Sequence, residues 1–323
     1  MCIMKNILII DSPNTPYIDD LALESEILKN HYNIILKNGI PTIKDHEFSK
    51  ADCIIVFYGN VLKEQDIKQM QNCQGIVVAT TGYNNVDITA ASQLRIPVCN
   101  LINPVYEEVA DHTILLLLAC VRKMKHIIKS VESNKWNWQE AYGTKRLKGS
   151  TLGLIGYGNI GKAVAIRALN FGLNVIAYDP FCHDMNVVKI SSLEDLLSKS
   201  DIISLHCPLN SSTHHILNRK TLNMCPNGVI IINTARGGLI DQQVALEFVK
   251  KEKISALGLD VLEDETLIPQ ELAADPRIIL TPHMAFYSTH SHKAFRSNAA
   301  LAAVNFCEGK GYLNNIINNT TKA

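Results

Sequence analysis

The chain has 323 residues, 47% hydrophobic and 19% charged, which suits an ordinary globular protein of two domains. Thirty-one Lys and Arg balance thirty-one Asp and Glu, so it lacks the basic excess of a phosphate-gripping protein. No direct nucleic-acid partner is expected. Nine cysteines, an odd number without a C-x-x-C pair, read as free thiols rather than a disulfide framework. The opening MCIMKNILIIDSP reads as a first strand, not a signal peptide. The longest apolar run, 114–121, is too short to span a bilayer. A cytoplasmic protein with no membrane partner is expected.

From residue 5 to about 100, short aliphatic runs alternate with polar, helix-like stretches. NILII (6–10), CIIVF (53–57), GIVVA (75–79) and IPVC (96–99) predict buried strands. Helices are predicted over 18–30 and 87–94, the second capped by Asp87. A long helix is predicted over 105–131, from helically spaced Val109, Thr113, Leu116, Leu117, Cys120, Val121 and Met124. Acidic residues come early in it and basic ones late, which suits the helix dipole. The segment 136–149, beginning WNW, reads as a loop.

From 151 the alternation sharpens. TLGLIGY, LNVIAYD, DIISLHCP, GVIIINTARG, ISALGLDV and RIILTPH are six strand-like runs. Helical stretches at 160–171, 192–199 and 241–250 separate several of them, and a last helix is predicted over 291–308. Repeated strand–helix–strand units of this length specify a parallel sheet with helices on both faces.

The strongest motif is GLIGYGNIG, residues 153–161. Gly156 permits a tight turn, Gly158 lets the backbone approach a pyrophosphate, and Gly161 lets helix and strand pack closely. The amino end of the following helix adds free N–H groups and partial positive charge. Asp179 ends the next strand, where a carboxylate can bind both ribose hydroxyls and repel a 2′-phosphate. The pattern therefore predicts a dinucleotide site that favours NAD over NADP.

A second set lies at or just beyond the carboxyl ends of later strands, where open parallel sheets bind ligands. Arg236 in INTARGGLID offers a planar fork for a carboxylate or carbonyl oxygen. His283 in ILTPH is a suitable proton carrier, and a carboxylate such as Glu265 beside it would favour its protonated form. Taken singly, each also suits a loop bridge, a solvated surface or a helix cap. His206-Cys207-Pro208 ends another strand and can wall the cofactor site. A nucleophilic Cys207 or a metal at His206 and Cys207 lacks supporting residues elsewhere, so no metal is expected. His112, His214 and His215 read as surface or structural residues, and His290 and His292 as the start of a helix.

Taken together, GLIGYGNIG, SDIISLHCPLNSSTHHILN, INTARGGLID, LDVLEDE and ILTPH resemble the D-isomer-specific 2-hydroxyacid dehydrogenase family, in its order and approximate spacing. The likeness covers nearly everything from 75 onward and, more loosely, residues 1–74. EEVADHT (107–113), the WNW segment and TPHMAFYS (281–288) are most similar to the branch containing the C-terminal binding proteins. Glycerate and phosphoglycerate dehydrogenases are the other near branches.

The resemblance implies an α/β protein of two Rossmann-like domains. A doubly wound parallel-sheet NAD domain, 102–286, would be inserted into a flavodoxin-like substrate domain made of 1–101 and 287–323. It implies catalysis by Arg236, Glu265 and His283. It implies cofactor contacts at Gly156, Tyr157, Gly158, Asn159, Ile160, Gly161, Asp179, Pro180, His206, Cys207, Pro208, Thr213, Thr234, Ala235 and Asp260. Substrate would meet Ala79, Thr80, Thr81 and Gly82 together with Arg236 and His283. Family members are commonly dimers joined through the NAD domain. Two departures stand out: Val78 occupies a position where phosphoglycerate enzymes and corepressors carry arginine, and Thr266 replaces a proline after Glu265. The expected activity is reduction of a small 2-oxo acid, glyoxylate or hydroxypyruvate favoured. Phosphoglycerate oxidation, an NAD-sensing regulatory scaffold and phosphite oxidation are the alternatives.

Overall fold

The computed structural model describes residues 4–14, 16–28, 31–42, 46–102, 105–182, 186–190, 192–310 and 315–318. The chain divides into two compact units, Met1–Pro104 with Ser288–Ala323, and Val105–Tyr287. By compactness the chain passes between them after residues 104 and 287, against the expected 101 and 286.

In the first unit, strands β1 (Lys5–Asp11), β2 (Tyr32–Asn38), β3 (Cys53–Val56), β4 (Ile76–Val78) and β5 (Val98–Asn100) all run parallel. Short helices α1 (Ala22–Leu28), α2 (Glu47–Lys50), α3 (Glu64–Ile67) and α4 (Ile88–Gln93) connect them. Asp87 caps α4, its carboxylate accepting the Ala90 N–H at 2.9 Å. The helix predicted from residue 18 begins only at Ala22, because residues 17 and 18 are held in a loop. Their amides donate to the buried Asp11 carboxylate at 2.9–3.0 Å. β2 escaped the sequence reading because it is an edge strand, mostly half-buried, without a fully buried apolar run.

The second unit contains α5 (Tyr106–Val121), α6 (Met124–Glu132), and strands β6 (Thr151–Ile155), β7 (Asn174–Tyr178), β8 (Val188–Lys189), β9 (Ile202–Leu205), β10 (Val229–Asn233), β11 (Ile254–Leu259) and β12 (Ile278–Leu280). Helices α7 (Asn159–Asn170), α8 (Leu193–Lys199), α9 (Arg219–Met224), α10 (Gln242–Lys250) and α11 (Gln270–Ala274) connect the strands. The single long helix predicted over 105–131 is two. Lys123 sits at a left-handed φ of 53°, ending α5 and starting α6, although apolar spacing continues through the break. Lys125 then anchors α6, donating to the carbonyls of Ala273, Asp275 and Ile278 at 2.7–2.9 Å.

The second sheet has order β12-β11-β10-β9-β6-β7-β8, wholly parallel. That is the doubly wound order of dinucleotide folds. Its central strands are buried on both faces and alternate between two cores, while the edge strand β8 is exposed. Ile231, Leu257 and Leu205 face α8, α9 and α10 through Leu196, Leu222 and Phe248. Ile230, Ile232 and Leu154 face α5 and α7 through Leu116 and Val164.

The chain then returns to the first unit with α12 (Thr289–Glu308) and β13 (Asn315–Ile316). β13 adds an antiparallel edge to the order β13-β5-β4-β3-β1-β2, whose parallel part is flavodoxin-like. Arg296 of α12 meets Glu24 of α1 in a buried two-pronged pair, with N–O distances of 2.8 and 2.7 Å. Replacing Glu24 by Leu strands a buried guanidinium. The unfolding free energy should drop by about 3–5 kcal/mol, read as a shift in urea midpoint. Adding Arg296→Met should recover most of that loss.

Candidate active site

β6 lies between β7 and β9, where the strand order reverses, and its carboxyl end opens the glycine turn. Gly156 takes a φ of +98°, and a Cβ there would sit 2.6 Å from the backbone N of Cys207. A Cβ on Gly161 would sit 2.5 Å from the Gly156 carbonyl oxygen. Glycine is required at both because backbone already fills the space. Gly158 differs: at the N-cap of α7, its added Cβ would meet nothing within 4 Å. Asn159 and Ile160 open the helix behind it.

Asp179 follows β7 and is partly exposed. Its Oδ2 accepts the Tyr157 N–H at 2.8 Å, and its Oδ1 accepts those of Phe181 and Cys182 at 2.9 and 3.2 Å. The carboxylate thus ties the glycine turn to the loop after β7 through Pro180. Oδ2 keeps acceptor capacity beyond its one bond, whereas Oδ1 already holds two. The Tyr157 ring packs into the core, so this residue offers backbone rather than side chain.

His206 ends β9 directly beneath Gly156 and Gly161. Burial pushes its imidazole down to about 3, so it is neutral, with Nε2 2.9 Å from the Ser204 hydroxyl. Burial, assisted by the Asp179 charge, pushes the Cys207 thiol up to about 11. A thiol held protonated is a poor nucleophile. Pro208 and Thr213 close the next turn, with the Thr213 hydroxyl donating to the Pro208 carbonyl at 2.6 Å.

β10 delivers Asn233, Thr234, Ala235 and Arg236. The buried Asn233 side chain folds the turn: Oδ1 accepts the Ala235 N–H at 3.0 Å and Nδ2 donates to the Arg236 carbonyl at 2.8 Å. Arg236 Nη1 donates to the Ala235 carbonyl at 2.6 Å. A Cβ on Gly237 would sit 1.9 Å from the Leu262 carbonyl carbon, so only glycine lets these two loops touch. The Arg236 loop is thereby pressed against the segment that leads to Glu265.

Glu265 and His283 are directly paired, with both carboxylate oxygens 2.9 Å from Nδ1. A carboxylate only accepts, so Nδ1 carries a proton and donates it, and Nε2 faces outward from the pair. His283 has a left-handed φ of 52°, a conformation that costs on the order of 1 kcal/mol. The backbone is held there by its own amide, which donates to the Asp260 carbonyl at 2.8 Å and to the Thr281 carbonyl at 3.0 Å. The Asp260 carboxylate, 2% exposed, accepts the Met284 and Ala285 amides at 3.0 and 2.9 Å and the Thr281 hydroxyl at 2.6 Å. Asp260 therefore works on the protein, shaping the histidine loop.

In the first unit, Ala79, Thr80, Thr81 and Gly82 follow β4 as a tightly held turn. The Thr80 hydroxyl donates to the Gly82 carbonyl and Asn100 Nδ2 to the Thr81 carbonyl, each at 2.6 Å. Val78 is wholly buried in that unit's core, so it is a packing residue. Among the described residues, one group has a cation-site composition: His214, His215 and Glu263. The two imidazoles stack 3.9 Å apart rather than bonding to each other. His215 instead pairs with Glu263.

Sequence reading missed His112, Thr113, Asn233, Thr281 and the need for Gly237. Their roles arise only where separate strand ends meet, and no local pattern marks them.

Residues 114–285 match the family described as D-isomer specific 2-hydroxyacid dehydrogenase, NAD binding domain. The chain belongs to this family. As a D-isomer specific 2-hydroxyacid dehydrogenase, it is an NAD-dependent oxidoreductase acting on CH–OH groups. It is 39% identical over 239 residues to a hydroxypyruvate reductase of Thermotoga maritima, covering 73% of this chain and 78% of that protein. It is 32% identical over 297 residues to C-terminal-binding protein 1 of Caenorhabditis elegans, covering 87% of this chain but 41% of that protein. A D-lactate dehydrogenase of Aquifex aeolicus, solved with NAD and lactic acid, superposes with a TM-score of 0.86 at 30% identity. That match covers 94% of this chain and 96% of the other.

The glycine turn fits the cofactor. The space at Gly158 is what a pyrophosphate needs at a helix amino terminus, and the Asp179 carboxylate is tied into that turn through the Tyr157 amide. His206 offers a test of the turn's foundation. Its lowered pKa means that the folded protein resists protonating it, whereas the unfolded chain does so near pH 6.5. Its contribution is therefore intact above about pH 6.5 and lost progressively as pH falls toward 3. Urea midpoints measured across that window should fall less steeply in His206→Gln than in the parent.

Proposed function

We propose that the protein reduces a small unphosphorylated 2-oxo acid, with hydroxypyruvate or glyoxylate as the favoured substrate. The Glu265–His283 pair, set beside the Arg236 loop at neighbouring strand ends, carries the reading. NAD supplies the hydride donor and acceptor at its nicotinamide ring. The adenosine ribose is assigned to Asp179 and the pyrophosphate to the amino end of α7 at Gly158. Arg236 holds the substrate carboxylate and steadies the carbonyl oxygen as negative charge grows there. His283 gives a proton from Nε2 to that oxygen in reduction and takes it back in oxidation. Glu265 holds the ring by Nδ1, so that Nε2 is the atom presented.

The substrate class is supported by the likeness to a hydroxypyruvate reductase and by the buried apolar Val78, which provides no cationic fork for a phosphate. A regulatory scaffold is the second reading, favoured by the likeness to C-terminal-binding protein 1. A cytoplasmic setting is supported by the described cysteines, all free thiols.

NADH oxidation with glyoxylate, hydroxypyruvate, pyruvate, bulkier 2-oxo acids and 3-phosphohydroxypyruvate separates these readings. The expected order places hydroxypyruvate or glyoxylate first in kcat/KM. His283→Ala should cost about 10²–10⁴-fold in turnover while NADH affinity changes little. Preference for the phosphorylated acid would make the protein a phosphoglycerate dehydrogenase. NADH binding without turnover of any acid would favour the scaffold.

We further propose a homodimer formed through the second unit. Trp136, Trp138 and Tyr142 are 92%, 74% and 60% exposed, and Met124, Ile128 and Val131 of α6 add to this apolar surface. Such a patch is uncommon on a monomer's surface. Sedimentation should give twice the chain mass for the parent, and the monomer mass for Trp136→Lys combined with Trp138→Lys.

A further inference from the structure

Two consecutive buried residues of α5 reach two different strand ends. His112 Nε2 lies 2.9 Å from the Thr281 hydroxyl, just before His283. The Thr113 hydroxyl lies 2.8 Å from that of Thr234, just before Arg236. His112 is 8% exposed and Thr113 wholly buried, so neither contact is a surface accident. Successive helix positions diverge by about 100°, which is how neighbours in sequence reach separate strands. In the sheet, β11 stands between β10 and β12. The two loops are thus one strand apart, with α5 bridging them from one face.

Proton bookkeeping gives both contacts a direction. The Thr281 hydroxyl donates its only proton to Asp260 at 2.6 Å, so toward His112 it can only accept. His112 Nε2 is therefore protonated and donates. The Thr113 hydroxyl donates its proton to the Val109 carbonyl at 2.7 Å, so Thr234 donates to it. The first chain of bonds runs from α5 through Thr281 to the Asp260 carboxylate. From there it reaches the Met284 and Ala285 amides that follow His283. The second fixes Thr234 inside the turn that Asn233 folds before Arg236.

We propose that His112 and Thr113 are positioning residues, a two-point bracket that sets the separation of His283 from Arg236. The proposal rests on the reading of His283 as proton carrier and Arg236 as substrate clamp. Neither bracket residue touches substrate; each acts through a loop. Proton transfer and carboxylate binding must be served together on one small molecule, and an error of about 1 Å in such placement costs about 10²-fold. The strained φ at His283 makes its loop dependent on outside restraint.

The test measures kcat, KM for hydroxypyruvate, NADH affinity by fluorescence titration and thermal midpoint in five variants. His112→Phe keeps a buried ring but loses the donor; His112→Gln keeps an N–H close to the place of Nε2. Thr281→Val is isosteric and loses the hydroxyl, and His112→Phe/Thr281→Val combines the two. His283→Ala is the control. His112→Phe and Thr281→Val should each lower kcat about 10–100-fold, with NADH affinity within about twofold. His112→Gln should restore most of the turnover. The double variant should lose little beyond either single one, as expected of groups acting in one chain. The bracket is overturned if His112→Phe and Thr281→Val keep kcat within about twofold, or if their losses multiply. It is equally overturned if Gln fails to rescue and kcat merely follows the thermal midpoint. An active His283→Ala would defeat the underlying assignment. An inactive His283→Ala beside unaffected bracket variants would defeat the bracket alone.

Discussion

Parallel strands in the second sheet impose one constraint from which the site follows: every carboxyl end emerges along the same edge. Residues that follow β6, β7, β9, β10, β11 and β12 are therefore gathered without being close in sequence. The glycine turn, Asp179, His206, Arg236, Glu265 and His283 all belong to that edge. The order reversal between β6 and its two neighbours leaves the gap where the turn can open. Burial on both faces makes the register of the central strands costly to slip, because they divide their aliphatic residues between two cores.

At the strand ends of both sheets, close backbone approach and carboxylates share the work of shaping loops. Gly156, Gly161 and Gly237 stand where another backbone already fills the Cβ position. Three aspartates play the complementary role. Asp11 ends β1, Asp179 follows β7, and Asp260 follows β11; each accepts N–H groups from loop backbone. A buried carboxylate is expensive unless its lone pairs are filled, so Asp11 and Asp260 hold their loops to a narrow set of conformations. The same constraint explains how His283 keeps a left-handed backbone: its loop is bonded to Asp260 through both carboxylate oxygens and the main-chain carbonyl.

Electrostatics then sort the titratable groups by role. His206, half-buried beside the turn, is kept neutral and serves the protein framework. His283 is instead paired through Nδ1 to the Glu265 carboxylate. Cys207 lies beside the same turn but stays protonated, which removes it from nucleophilic chemistry. The two histidines thus have different uses, decided by the partners that the fold places beside each.

Much of this was legible in the sequence because its signals are local. The G-x-G-x-x-G spacing with Asp179 downstream, the aliphatic runs and the Asp87 cap each depend on residues within one turn or one strand–helix unit. Arg236, Glu265 and His283 were legible as strand-end residues of motifs with the right polarity. The tertiary structure alone decided the rest. β2 lacked a buried run because it forms an edge. The break at Lys123 lies where no glycine or proline marks it, so apolar periodicity simply runs through. His112 reads as a surface or structural histidine, since its partner Thr281 is 169 residues away. Long-range hydrogen bonds leave no periodicity and no spacing rule in the chain. They exist only once the sheet has brought the strand ends together, and that is a property of packing.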